Sequence, residues 1–392
     1  MSFLRAACAA LLGQTGIRKR YRALTFVPVL LLANVFLSCG SSSSSSAPNH
    51  TAYVSLPSEG SVLVLQLNGS NGIITLGGKT PPSGTTSPTG LALLPSKKFL
   101  YTANSRENTI STFNVANDGS LTLTAVATAA GGSSPNAAVI DPTGSYLLVT
   151  NNLSNNISVF AINGTTGALS MVGSPAPANP NPTQIRFTHS GKFVYVTNPG
   201  TGTVTGFSFD ATSGLLTPTT TVVSGSGAAA LAVDSNDQYL YVANASATNP
   251  PPYSSTIGNI SAFSIDASGG LTPILGSPFT STNGTNGPTA ITVDPSGRFV
   301  YAVTAGSSFS IWCFAITPTN GELVAVTGSP FSLAGGGLFA LFASSGNFFY
   351  VGNGSPVGIE GYTYNTSTGV PTLITGSPFS TGTPPGNMVV SD

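Results

Sequence analysis

Two columns of residues recur in step along this chain, and they restrict its fold more than any other feature. The first is Tyr53, Tyr101, Leu148, Tyr195, Tyr241, Tyr301 and Tyr350. Its intervals run from 46 to 49 residues, with one of 60. The second is Leu65, Phe113, Phe160, Phe207, Phe263, Phe314 and Tyr362. A fixed period of this length marks one supersecondary unit repeated, each unit too small to bury its own apolar faces without neighbours. Every unit has the same internal order. A strand such as PTAITV (288–293) meets the tight turn DPSG (294–297), and RFVYAV follows. SIWCFAI (310–316) comes next, and the turn TPTNGE (317–322) leads to LVAVTG. In the first turn Asp can bond its own backbone, Pro presets φ and Gly accepts a left-handed conformation. RFVYAV is apolar at nearly every position, as a strand covered on both faces should be.

Four antiparallel strands in such a period predict a β-propeller blade. The first unit starts near His50 and lacks its first strand, while the chain ends in PGNMVVSD (385–392), which matches a first strand and nothing more. Together these halves make one blade. The fold class predicted is therefore all-β: a seven-bladed propeller of four-stranded antiparallel blades. The C-terminal strand completes the N-terminal blade, which also removes an exposed sheet edge. The aromatic columns are assigned to its core.

The N-terminus reads differently. RKRYR (18–22) precedes the apolar stretch ALTFVPVLLLANVFLSCG (23–40), the pattern of a signal peptide. The apolar run is shorter than the roughly 20 residues of a membrane span. It ends in VFLSC, which resembles a bacterial lipobox, and that resemblance implies cleavage before Cys39 and lipid attachment to it. The organisation expected is a signal peptide over 1–39, a Ser-rich flexible tether over 40–50, and the propeller over 51–392. The chain is thus expected to be exported and anchored at the cell envelope, in the outer membrane or periplasm.

Composition narrows the function classes. Charged residues are 6% of the chain, against about 25% in an average soluble protein. Five of the twelve basic residues lie within the first 22 positions, leaving seven against twelve acidic ones. That is a poor footprint for nucleic acid, so no nucleic-acid partner is expected. The body keeps a single cysteine, Cys313, inside an apolar strand pattern where a buried, inert thiol is expected. There is no G-x-S-x-G nucleophile elbow and no Cys/His cluster for zinc. Neither a cofactor nor a metal is expected.

The tandem phrases DPSGRFVYAV and LAVDSNDQYLYVAN (231–244), with GSPF at 276–279, 328–331 and 376–379, resemble the seven-bladed propellers of the bacterial lactonase family and the YncE-like surface propellers. The resemblance spans about 51–392. It implies the propeller fold. It also leaves two activities open, because some members hydrolyse sugar lactones, including 6-phosphogluconolactone, and others bind. No catalytic motif of the family can be matched residue by residue.

Candidate residues come from the variable loops and from departures from the repeat. The loops include NSRENT (104–109), NNLSNN (151–156), NPGTGT (198–203), GNGSPVG (352–358) and the insertion NASATNPPPYSSTIG (244–258). Function commonly sits on such loops above a rigid scaffold. In the insertion Tyr253 follows three prolines, a stiff aromatic suited to gripping a glycan, peptide or protein. Asn104, Asn151, Asn198, Asn244 and Asn353 share one position, where they can cap a turn or form a polar ring for a ligand. Asp141, Asp234 and Asp294 repeat as turn residues. Arg186 stands where other blades have Ala232 or Thr292, and near the channel it can bind a carboxylate or an oxyanion, or line the wall without a substrate. His189 falls in the turn THSG, opposite the variable loops. Arg106, Glu107 and Glu360 lie in or beside those loops, and Trp312 replaces the Ser of most blades.

Two readings stand side by side. One is a monomeric, lipid-anchored binding or scaffold module that meets a glycan, peptide or protein on the loop face, with the membrane met only through the anchor. The other is a lactone hydrolase. It would orient a water with Glu107 or Glu360 and stabilise the oxyanion with Arg186 or Arg106, which requires those groups within reach of one substrate.

Overall fold

The computed structural model describes residues 49–80, 87–128, 132–245, 258–281, 287–306, 309–343 and 347–391. They form seven antiparallel sheets arranged in sequence order around an axis. Blades are numbered 1 to 7 along the chain, and strands are named from innermost to outermost. Blade 4 shows the pattern: Gln184–Phe187 innermost, then Phe193–Asn198, Thr203–Asp210 and outermost Leu215–Val223. In blades 3 and 6 the outermost strand is split into two short pieces, such as Leu323–Ala325 and Phe331–Ser332. The expected single strand LVAVTG is therefore interrupted.

Closure follows the predicted route. Met388–Ser391 pairs antiparallel with His50–Leu56, in the register Tyr53↔Val389 and Val54↔Met388, and so supplies blade 1 with its innermost strand. His50, expected at the end of the tether, opens that blade's second strand opposite Leu67 and is 8% exposed. The strand begins one residue earlier than the expected boundary because this pairing extends to His50.

The hydrophobic core is divided into seven clusters, one at each seam between neighbouring blades. The Tyr and Phe columns lie in these seams, and Tyr195, Tyr241, Phe207 and Phe263 have no exposed surface. Each Tyr column residue also reaches the next blade. The Tyr53, Tyr101, Tyr195, Tyr241, Tyr301 and Tyr350 hydroxyls donate to the carbonyls of Gly119, Gly167, Gly269, Gly321, Gly369 and Gly72, at 2.6–3.1 Å. These glycines sit in the turn between the third and outermost strands. At Gly269 φ is +82°, and a Cβ would lie 2.4 Å from the Phe193 ring, so only glycine fits. Blade 3 has Leu148 in the column and no hydroxyl there. Tyr146, two residues earlier, donates instead to the Thr212 carbonyl of blade 4 at 2.9 Å. Every seam therefore carries one tyrosine clasp, including the one from blade 7 to blade 1. Burial pushes the Tyr53 and Tyr101 hydroxyls up to about 12, so both stay protonated donors; for Tyr53 the Asp118 charge adds to the effect.

Candidate functional site

The site is built from the seven innermost strands, whose side chains alternate between the two flanking seams and whose inner edges border the central channel. Register defines one layer of the channel. Opposite the Tyr column stand Ala92, Val139, Arg186, Ala232, Thr292, Leu341 and Val389. Arg186 is the only charged member. It lines two cavities that meet at this layer. One, of about 180 Å³, is bounded by innermost-strand residues of all seven blades, from Thr89 and Asn136 to Leu338 and Asn387, and faces the variable loops. The other, of about 530 Å³, faces the turns between innermost and second strands.

Arg186 is open to channel water, but protein surrounds it on every side. Desolvation by these walls lowers its pKa below the ordinary arginine value. Its Nη1 donates to the neighbouring Ile185 carbonyl at 3.3 Å, and among the described residues it has no ion pair. The rest of the loop-side mouth is held by neutral staples. Thr89 Oγ1 donates to the Pro135 carbonyl at 3.2 Å, Asn136 Nδ2 to the Thr183 carbonyl at 3.1 Å, and Thr289 Oγ1 to the Gly337 carbonyl at 2.6 Å. Gln184 Oε1 accepts the Leu231 N–H at 2.6 Å. Each of these bonds joins adjacent blades.

The other candidates are not gathered around Arg186. Glu360 is 1% exposed inside blade 7. Its carboxylate accepts the Ala334 N–H at 3.0 Å and is bonded by Asn353 Nδ2 and the Tyr362 hydroxyl. It occupies the column held by Ser111, Ser158 and Ser261 and fastens strands as they do. Glu107 is half-buried and Arg106 exposed in the second-to-third-strand loop of blade 2. Neither lines the channel cavities.

Asn104, Asn151, Asn198, Asn244 and Asn353 are buried to 0% exposure. Their amides bond across the loop to the third strand: Asn104 Nδ2 to Ser111 Oγ at 2.9 Å, Asn151 Nδ2 to Ser158 Oγ at 2.9 Å, Asn198 Nδ2 to Thr205 Oγ1 at 3.1 Å, and Asn244 Nδ2 to Ser261 Oγ at 3.0 Å. They tie loops from within and present no polar ring to a ligand. Asp141, Asp234 and Asp294 each accept N–H groups four and five residues on, as at Asp294 from Arg298 and Phe299, both at 2.7 Å.

Blade 4 has Thr188 in place of that aspartate. Its turn uses Asp237 of blade 5, which accepts the His189 N–H at 2.6 Å and the Ser190 N–H at 2.8 Å and meets His189 Nδ1 at 3.1 Å. Burial raises the Asp237 carboxyl, but these bonds outweigh it and hold its pKa below the ordinary aspartate value. Trp312 packs fully buried in the seam of blades 5 and 6, its Nε1 without a hydrogen-bond partner among the described residues. Burial pushes the Cys313 thiol up to about 12, which leaves it inert. No group of His, Cys, Asp and Glu suited to a metal occurs among the described residues. Tyr253 and Cys39 lie outside those residues.

Sequence alone singled out Arg186 as a break in a column. It did not reveal the staples from Thr89, Asn136, Gln184 and Thr289, whose residue types are ordinary at a strand start. The polar character shared by Thr89, Asn136 and Thr289 at the second position of the innermost strand was their only signal.

The sequence profile of the family described as "Lactonase, 7-bladed beta-propeller" matches residues 45–187, 174–255 and 256–385. Among curated proteins no sequence matches the chain. Solved structures share the fold. A candidate 6-phosphogluconolactonase from Bacteroides fragilis superposes with a TM-score of 0.73 at 20% identity, covering 88% of this chain and 98% of its own. A second, from Bacteroides uniformis, gives 0.74 at 18% identity over 88% and 99%. The periplasmic gluconolactonase of Pseudomonas aeruginosa gives 0.72 at 16% identity, again over 88% and 99%. With seven clasped blades, a strand-closed ring and a family match across nearly all of that ring, the chain belongs to the seven-bladed β-propeller lactonase family.

Proposed function

We propose that this chain is an exported, lipid-anchored propeller of the lactonase family that works as a binding module at the cell envelope. It holds its ligand or partner over the loop face and the channel beneath it. The basic segment, the lipobox ending at Cys39 and the serine tether support export and anchoring. The observation that carries the binding reading is the isolation of Arg186. Among the described residues it has no ion pair, so it offers a cation to an otherwise uncharged layer, whereas the candidate acid–base carboxylate Glu360 is engaged inside blade 7. A proton-transfer group must lie within hydrogen-bond reach of the same substrate as the oxyanion donor.

The second reading is lactone hydrolysis, favoured by the family match and by the gluconolactonase that shares the fold. In it Glu107 would orient a water, and Arg186 or Arg106 would stabilise the oxyanion. A hydrolysis screen over sugar and aliphatic lactones separates the two. The binding reading expects no turnover above background in the wild type, Arg186→Ala or Arg106→Ala. Turnover that either substitution abolishes would make the chain an enzyme and locate its site.

A further inference from the structure

The larger of the two cavities lies on the side of the channel away from the variable loops, and its walls have an uncommon composition. Apart from Lys97, Asp141, Arg186 and Ser391, every lining residue is aliphatic or proline, with Leu91, Leu93, Ile140 and Val389 among them. Its volume, about 530 Å³, lies within the usual range for a small-molecule site, roughly 300–1,000 Å³. The one acid in the lining is already engaged. Asp141 is 1% exposed, and its carboxylate accepts the Ser145, Tyr146 and Thr143 N–H groups at 2.7, 2.6 and 3.0 Å. It forms no ion pair with Arg186 or Lys97 among the described residues.

Position within the ring adds direction. Arg186 comes from blade 4, and blades 7 and 1 lie farthest across the channel from it. Of those two, blade 1 lines this cavity, with Val389 at the same layer and Val390 beside it. A molecule spanning the channel there meets a guanidinium at one end and branched aliphatic side chains at the other. A guanidinium open to the channel, with no ion pair among the described residues and aliphatic walls around it, favours an anionic group placed against it.

We propose that this turn-side cavity binds a small amphipathic carboxylate, its anionic group on Arg186 and its apolar body against the aliphatic wall, with Lys97 as a secondary cation at the rim. The proposal rests on the binding reading above and names the ligand class for the channel. It excludes polar sugar acids as preferred ligands, because their hydroxyls would be buried against Leu, Ile and Val without partners.

The test is calorimetric titration of the purified full-length protein with hexanoate, octanoate and 3-phenylpropionate, against 1-octanol, gluconate and inorganic phosphate. Octanoate should bind more tightly than hexanoate, by roughly fourfold per added methylene. Octanol and gluconate should each bind at least tenfold more weakly than octanoate. Arg186→Gln, which keeps the polar stem and removes the charge, should weaken octanoate binding by roughly ten- to hundredfold. Lys97→Ala should weaken it less. Thermal melting of both variants separates lost binding from lost fold. Equal affinity for gluconate or phosphate, an unchanged affinity in folded Arg186→Gln, or no octanoate binding at millimolar concentration would each overturn the proposal. The lactone screen decides the underlying binding reading separately, since a carboxylate can fail to bind whether or not a lactone turns over.

Discussion

The seams between blades and the wall of the channel are made from adjacent strands, yet they are built on opposite terms. At the seams the same solution recurs: a buried pair from the two columns, aromatic at five of the seven seams, and one tyrosine hydroxyl donated to the next blade's turn. Blade 3 shows how strictly this holds. When the column residue is Leu148, the hydroxyl returns from Tyr146 and still reaches blade 4. In the channel layer no such restoration occurs. Six positions are Ala, Val, Leu or Thr, and the seventh is Arg186. A departure compensated nearby serves stability. A departure left without compensation, in a cavity, is where function is sought.

Four perturbations sharpen this comparison. The largest effect should come from deleting residues 385–391, because blade 1 would lose its innermost strand and expose both a sheet edge and the first seam. Loss of a cooperative thermal transition, followed by circular dichroism, is the expected outcome; a melt like that of the intact protein would refute closure. Phe263→Ala, in the seam of blades 4 and 5, should cost about 3–5 kcal/mol by denaturant titration. Smaller, and more telling, is the clasp. Tyr241→Phe leaves the Gly321 carbonyl unbonded and should cost about 1–2 kcal/mol. Tyr146→Phe removes the substitute clasp and should cost a similar or smaller amount, since its bond is more exposed. No loss at Tyr146 would end the claim that blade 3 restores the seam.

The smallest effect concerns the turn of blade 4, which uses the carboxylate of Asp237 from blade 5 where three other turns carry their own. The folded pKa of Asp237 is lowered, so its contribution is present above the ordinary carboxylate range. It is lost as pH falls through the folded value. Asp237→Asn should therefore destabilise slightly at neutral pH and flatten that acid limb of the stability profile.

Most of the ring was legible in the sequence because its information is periodic. Tyr and Phe columns, Asp turns and the half-blade at each end all repeat, and a repeat can be aligned against itself. The candidate site was legible only where the alignment breaks, at Arg186. The polar loop residues were harder, because a loop rich in Asn and Ser looks the same whether its side chains point out or in. Asn104 and Asn244 point in, where backbone turns and neighbouring hydroxyls consume their donors. Glu360 repeats the case with a charge. Its position in a serine column was visible, but its bonds to Ala334 and Tyr362 depend on the approach of distant chain.

The most direct test of the account is Arg186→Met, melted beside Tyr241→Phe and titrated with octanoate. A residue that serves the ligand and not the fold should leave the melting temperature unchanged, since Arg186 is open to channel water and has no ion pair among the described residues, while binding is lost. Tyr241→Phe should melt lower and still bind. A fall in melting temperature at Arg186→Met as large as that of Tyr241→Phe, with octanoate binding intact, would make Arg186 a structural residue and contradict the account.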